Sequence, residues 1–186
     1  MADLTLSSGN ICQPYRSPWG AFPTREFGVS TGVSSAAIVS GQPVTTDYTL
    51  GNNTTNAAYV KASTADNTFY LAGIAAGNMS GSSAVAGSKL SVWECNPLLE
   101  FKAVTKGGLL ASSHVGLTKT LHWDSTLAIA YVDLGASTAA DHRVVVTQMV
   151  GDIGDSGGYA AFRFLSNFNR QGSTVTSSSP LLAFYR

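Results

Sequence analysis

From residue 41 onward, apolar and polar positions alternate in short runs separated by turns rich in Gly, Asn, Asp and Ser, a spacing that predicts the strands of a sandwich or barrel. The runs are VTTDYTL (44–50), TFYLAGI (68–74), KLSVWE (89–94), EFKAVT (100–105), LAIAYV (127–132), RVVVTQMV (143–150), AAFRFL (160–165) and LLAFY (181–185). A period of two assigns their faces. Leu90 and Val92 oppose Ser91 and Trp93, Phe101 and Ala103 oppose Lys102, and Phe162 and Phe164 oppose Arg163. RVVVTQMV is apolar on both faces, which predicts a central strand. TTNAAYVKAST (54–64) and GASTAAD (135–141) read as one or two helical turns, while GNMSGSSAVAGS (77–88) and QGSTVTSSSP (171–180) read as loops, too small and polar to pack a core. No segment supports a long amphipathic helix. The expected fold class is all-β, an antiparallel β-sandwich or barrel with long loops.

Residues 1–40 break this pattern, with neither helical nor strand periodicity. Pro14, Pro18 and Pro23 stand among Tyr15, Trp19, Phe22 and Phe27, which predicts an extended N-terminal arm rather than a disordered tail, since such tails are poor in aromatics. The four rings must be buried somewhere: on the chain's own body, on a second copy, or on another protein. The expected organisation is therefore an arm over 1–40 and a single β-rich domain over 41–186. A chain of 186 residues suits one well-buried core.

Charge narrows the partners. Eleven basic and eleven acidic residues cancel, so the net charge is zero. No long-range field is available to hold a nucleic-acid backbone or an anionic membrane, and neither partner is expected. Charged residues make up 12% of the chain, about half the usual share of roughly 25%. A neutral, hydroxyl-rich surface suits burial against other protein, because dehydrating a hydroxyl costs less than dehydrating an unpaired charge. The start, MADLTLSSGN, lacks the basic and apolar regions of a signal peptide, and no run reaches membrane-spanning length, which predicts a soluble product made in the cytoplasm. Cys12 and Cys95 are too few for a disulfide framework or a zinc site and read as reduced thiols, Cys95 packed and Cys12 in the arm.

The motif that invites a catalytic reading is Gly154-Asp155-Ser156-Gly157-Gly158, the sequence around the nucleophile of chymotrypsin-like serine proteases. A nucleophilic serine needs a base within hydrogen-bond reach and a carboxylate to orient that base. The only histidines are His114, His122 and His142. His142, in TAADH, precedes Ser156 by only one strand, and nothing in the pattern reads as a complete first barrel carrying a histidine. The motif is better read as a turn joining a strand ending at Val150 to one starting near Tyr159, because Gly and Asp tolerate positive φ and cap free amides. Asp152 and Asp155 do not match a known calcium loop. His122 and Asp124, two apart on a possible strand, fall short of the three or four ligands zinc needs. His114 reads as a loop residue. Trp93 and Trp123 offer a sugar-stacking platform or, more commonly, core packing or an interface. No catalytic residue, cofactor or metal is expected.

With the catalytic readings set aside, the arm ICQPYRSPWGAFPTREFGVSTG, the following AAIVSGQPVTTDYTL and the β-rich body running to FRFL resemble the capsid decoration or cement proteins of tailed bacteriophages. The resemblance implies a small β-domain, commonly a homo-oligomer and often a trimer, on the outer capsid surface of the virion, with the major capsid protein as its partner and assembly in the host cytoplasm. Its mechanism would be physical, bridging neighbouring shell subunits and so stabilising the shell. On this reading Tyr15, Trp19, Phe22 and Phe27 are the arm's anchors in the capsid or subunit interface, and deleting residues 1–27 should abolish particle binding and leave a soluble β-domain. Two other readings are a tail-fibre knob or carbohydrate-binding module, and a serine hydrolase acting through Ser156.

Overall fold

KLSVWE forms a strand over the residues its alternation predicts, Lys89–Glu94, with Leu90 and Val92 buried and Ser91 exposed. It is the sixth of eleven strands among the residues that the computed structural model describes, 12–29, 38–46, 59–62, 71–79, 88–135 and 142–165. In chain order these are β1 (Gln13–Arg16), β2 (Thr24–Val29), β3 (Pro43–Thr46), β4 (Tyr59–Ala62), β5 (Leu71–Ala75), β6 (Lys89–Glu94), β7 (Glu100–Lys106), β8 (Thr118–Asp124), β9 (Ile129–Asp133), β10 (His142–Val150) and β11 (Tyr159–Phe164). Apart from one 3₁₀ turn at Ser112–His114, every regular element described is a strand. The protein is all-β, as its alternation predicts. The strand expected at 181–185 and the loop expected at 171–180 lie outside the described residues.

The strands form two curved sheets. The first is a closed barrel in the order β2-β4-β3-β5-β6, in which every pair is antiparallel except β2 with β4. Closure removes the free edges that an open sheet of this size would expose. Inside it lie Phe27, Val29, Ile38, Val44, Ala75, Met79, Leu90 and Val92. The second runs β1-β7-β11-β10-β8-β9 and curls far enough for β9 to pair in parallel with β7. β1 and β9 thus share one edge of β7, β1 against residues 100–102 and β9 against 104–106. β10 is a central strand, flanked by β11 and β8, as the doubly apolar RVVVTQMV predicts.

The second sheet's core is built on Phe101, Phe162 and Phe164, all at most 2% exposed, whose ring centroids lie 5.3–6.2 Å apart. The same cluster takes in Leu71 and Ile74 from β5 and Cys95 just beyond β6, so the two sheets are packed against each other. Trp93 and Trp123 pack against it, the core use the sequence favours. Cys12 and Cys95 are both buried there, and burial pushes both thiols up from their ordinary values.

Four strands, β1, β2, β4 and β8, lie outside the runs that alternation names, and β8 is the possible strand that carries His122 and Asp124. β4 lies within the 54–64 segment read from sequence as helical turns; it is a strand, held by antiparallel pairing with β3 and parallel pairing with β2. At four residues its pattern is too short to distinguish helix from strand, and pairing decides it. β1 and β2 lie within the segment read as an extended arm. They are extended, and they pair with the body, β1 with β7 and β2 with β6.

Gly73 is where β5 and β6 come closest. A Cβ there would lie 2.1 Å from the Trp93 carbonyl oxygen and 2.5 Å from Val92 Cγ1, and the first of these is backbone that cannot swing away. Gly73→Ala is therefore expected to cost about 1–3 kcal/mol through forced separation of the strands. Urea denaturation against the parent chain measures it, and an unchanged midpoint would show that β5 moves aside freely.

Candidate functional site

The serine loop is a turn in structure. β10 ends at Val150 and β11 begins at Tyr159, and Gly151 and Gly154 between them have φ of 136° and 97°, backbone that L side chains rarely adopt. The Gly154 amide donates to the Leu110 carbonyl (2.8 Å) and the Leu110 amide to the Asp155 carbonyl (2.8 Å), which ties this loop to the one after β7. Of the histidines, His114 leaves its buried Nδ1 without a hydrogen-bond partner, so no carboxylate holds that nitrogen. His122 stacks on Tyr131 (5.4 Å between centroids) with Nε2 3.8 Å from Asp133 Oδ2. Among the described residues no three His, Cys, Asp or Glu side chains converge as a metal-ligand set.

β8 holds both His122 and Asp124, but their partners differ. Asp124 accepts a bond from Lys106 Nζ (2.9 Å) and from the Thr126 and Leu127 amides (3.0 Å each), and so caps the β8–β9 turn. Lys106 also lies 4.7 Å from the Tyr131 ring centroid. The Lys106 bond holds the Asp124 carboxyl below its ordinary value, and the same bond raises the Lys106 ammonium. A depressed carboxyl contributes stability that is present above its unfolded pKa and lost as pH falls through the folded one. Asp124→Asn is accordingly expected to lower the melting temperature at neutral pH, with the gap to the parent chain closing below the ordinary carboxylate range. A gap that persists unchanged in acid would assign the loss to the turn cap alone.

The arm residues separate into two groups. Phe27, 7% exposed, is inside the barrel, and Phe22 packs edge-to-face on Phe101 at 5.9 Å. Phe27 is buried in the chain's own body and Phe22 is half-buried against it. Tyr15 is half-buried, its ring beside Arg16 (4.7 Å) and Lys102 (5.6 Å). Trp19 is displayed, 58% exposed at the tip of a turn made by Ser17–Gly20. The Trp19 amide donates to Ser17 Oγ (3.1 Å) and the Gly20 amide to the Ser17 carbonyl (3.3 Å), with Gly20 at φ 72°. Local hydrogen bonding therefore turns the chain between β1 and β2 and projects the indole outward.

Periodicity could not reveal the rest of the exposed apolar surface, which lies in loops. Leu109, Val115 and Leu117 follow β7, and Ile153 sits in the serine loop; all four are exposed. The bonds between Leu110 and residues 154–155, and those of Gly116 and Leu117 with Val146, hold these loops together. Leu98 is exposed in the β6–β7 turn, where Asn96 Oδ1 accepts its amide (2.9 Å).

Beside the Trp19 turn lies a cavity of about 470 Å³ lined by Arg16, Ser17, Pro18, Leu98, Glu100 and Arg163. Three neighbouring strands supply its charges. Arg16 on β1 pairs in register with Glu100 on β7, and the Phe162–Phe101 pairing puts Arg163 of β11 on the other side of Glu100. Sequence reading passed over Glu100. It shares the outward face of Lys102, but the flanking guanidiniums cover it, leaving its side chain 8% exposed. No known protein family, curated protein or solved structure matched this chain.

Proposed function

We propose that this chain is a non-enzymatic virion structural protein, a decoration protein that seats on the outer capsid surface and bridges neighbouring copies of the major capsid protein, acting as a homo-oligomer, as a trimer on the resemblance. The observation that supports this best is the display of large apolar side chains by a chain of zero net charge and low charged-residue content. Trp19, Leu98, Leu109 and Ile153 are each more than half exposed, and Val115 and Leu117 are close to it. Exposed apolar surface held on ordered turns is what a protein–protein contact needs. A rigid exposed indole is the residue type that most often dominates such contacts. Many copies, each weakly held, would act together on a shell lattice. Bridging stabilises the shell because the ligand binds only the assembled form.

The anchor assignment narrows with the side chains in view. Trp19 is the arm ring free to enter a partner's pocket, with Tyr15 at its flank, while Phe22 and Phe27 position the turn that presents it.

Mixing the protein with undecorated expanded shells and sedimenting the particles tests the reading. The parent chain should co-sediment in a simple ratio to the shell subunit. Trp19→Ala, at an exposed turn that leaves folding intact, should weaken attachment by at least about 2 kcal/mol, roughly thirtyfold. Only a few copies per particle would favour the tail-fibre or glycan-binding reading. No co-sedimentation, together with fluorophosphonate labelling that Ser156→Ala removes, would replace it with a hydrolase.

A further inference from the structure

We propose that the cavity beside Glu100 is a carboxylate-binding site that takes an Asp or Glu side chain from an extended segment of a partner protein. The inference stands whether or not that partner is a capsid subunit. Two guanidiniums and one carboxylate line the cavity, which leaves a net charge of +1. Arg163 donates from Nε (3.2 Å) and Nη2 (2.9 Å), both to Glu100 Oε1. The other carboxylate oxygen, Oε2, is buried and has no hydrogen-bond partner; Arg16 Nη1 stands 3.8 Å from it, beyond hydrogen-bond distance. A buried carboxylate oxygen without a donor is costly and marks a place where a donor is missing.

One occupant satisfies both requirements. An acidic side chain offers its carboxylate to the outward N–H groups of Arg16 and Arg163, whose side chains are 59% and 46% exposed. Arg16 is exposed enough to swing toward the incoming carboxylate, and that movement opens Glu100 Oε2, closed to solvent in the free chain, to a peptide N–H of the same segment. Guanidinium is the group best shaped for this task, because its planar fork meets a carboxylate with two parallel bonds. Glu100 holds Arg163 in place before the ligand arrives, which reduces the ordering cost of binding. Pro18 and the exposed Leu98 form the apolar part of the wall and would contact the aliphatic stem of the incoming side chain. A lysine or arginine side chain would meet the two guanidiniums first, so cationic segments are rejected.

The test uses the full-length, nitrogen-15-labelled chain and the capped peptide acetyl-Ala-Asp-Ala-Asp-Ala-amide, with the Asp→Asn version of that peptide and inorganic phosphate as comparisons. The arginine Nε–H resonances of Arg16 and Arg163 report on the site directly. The aspartate peptide should shift both in a saturable way, and its affinity should fall as salt is raised, as expected for partly exposed charges. Arg16→Gln, at an exposed side chain, should weaken binding at least about tenfold, while Arg16→Lys should recover part of the loss. The proposal fails if the asparagine peptide shifts the resonances equally, or if a folded Arg16→Gln chain binds unchanged. It also fails if phosphate binds as tightly as the peptide, which would make the cavity a general anion site.

Discussion

A chain truncated before Gly28 is expected to be unfolded and aggregating, rather than a soluble β-domain that merely fails to attach. The deletion removes β1 and the first four residues of β2. β2 closes the barrel, pairing with β6 from Thr24–Trp93 to Gly28–Lys89 and with β4 at Gly28–Tyr59 and Val29–Val60. Without it β4 and β6 present open edges, the arrangement that templates pairing with other chains. The barrel core also loses Phe27, and Phe22 leaves its contact with Phe101 in the other core. A buried aromatic such as Phe27 contributes about 1.5–3 kcal/mol, and a domain's whole stability is only about 5–15 kcal/mol. Size-exclusion chromatography and thermal melting decide the matter. A monomeric truncated chain with a cooperative melt near that of the parent would show that the barrel does not need β2. The consequence for attachment assays is practical: the deletion that the sequence suggests as a test of the arm confounds binding with folding, and Trp19→Ala separates them.

Phe101→Ala is expected to destabilise the protein by about 3–5 kcal/mol, the usual cost of emptying an aromatic site in a core that relaxes only partly. Phe101 is fully buried and touches three other rings, Phe22 edge-on at 5.9 Å, Phe164 edge-on at 5.3 Å and Phe162 stacked at 6.2 Å. It therefore couples β7 to β11 and to the segment leading into β2. Phe101→Leu should recover part of the loss by refilling volume, though not the ring geometry. Guanidinium denaturation of the two variants provides the comparison. A Phe101→Ala cost below about 1 kcal/mol would mean that the surrounding rings collapse into the space and that the site is not the centre of this core.

Alternation determined the strands that line the cores. In β6, β7 and β11 the inward residues named from the pattern are buried, because a strand's side chains alternate faces whatever sheet it joins; β7 and β11 also bury Val104 and Ala161 on the other face. The turn chemistry of residues 151–158 was legible for a similar reason, since Gly at positive φ obeys local rules, as Gly151 and Gly154 do here. β1, β2 and β4 were not. Most side chains of β1 and β2 are polar or at least partly exposed, and partners distant in the chain, such as Trp93 opposite Thr24, Lys102 opposite Gln13 and Val44 opposite Ala62, make all three strands. The same long-range pairing decided the candidate site. Glu100, Arg16 and Arg163 come together only because β1 and β11 flank β7, and nothing within six residues of Glu100 reveals that two arginines will bury it. Composition and aromatic content indicated that the first forty residues must bury rings. The tertiary structure decided which ones: burial is a property of the space a folded neighbour leaves, and Phe27 has a barrel around it while Trp19, on its turn, has solvent.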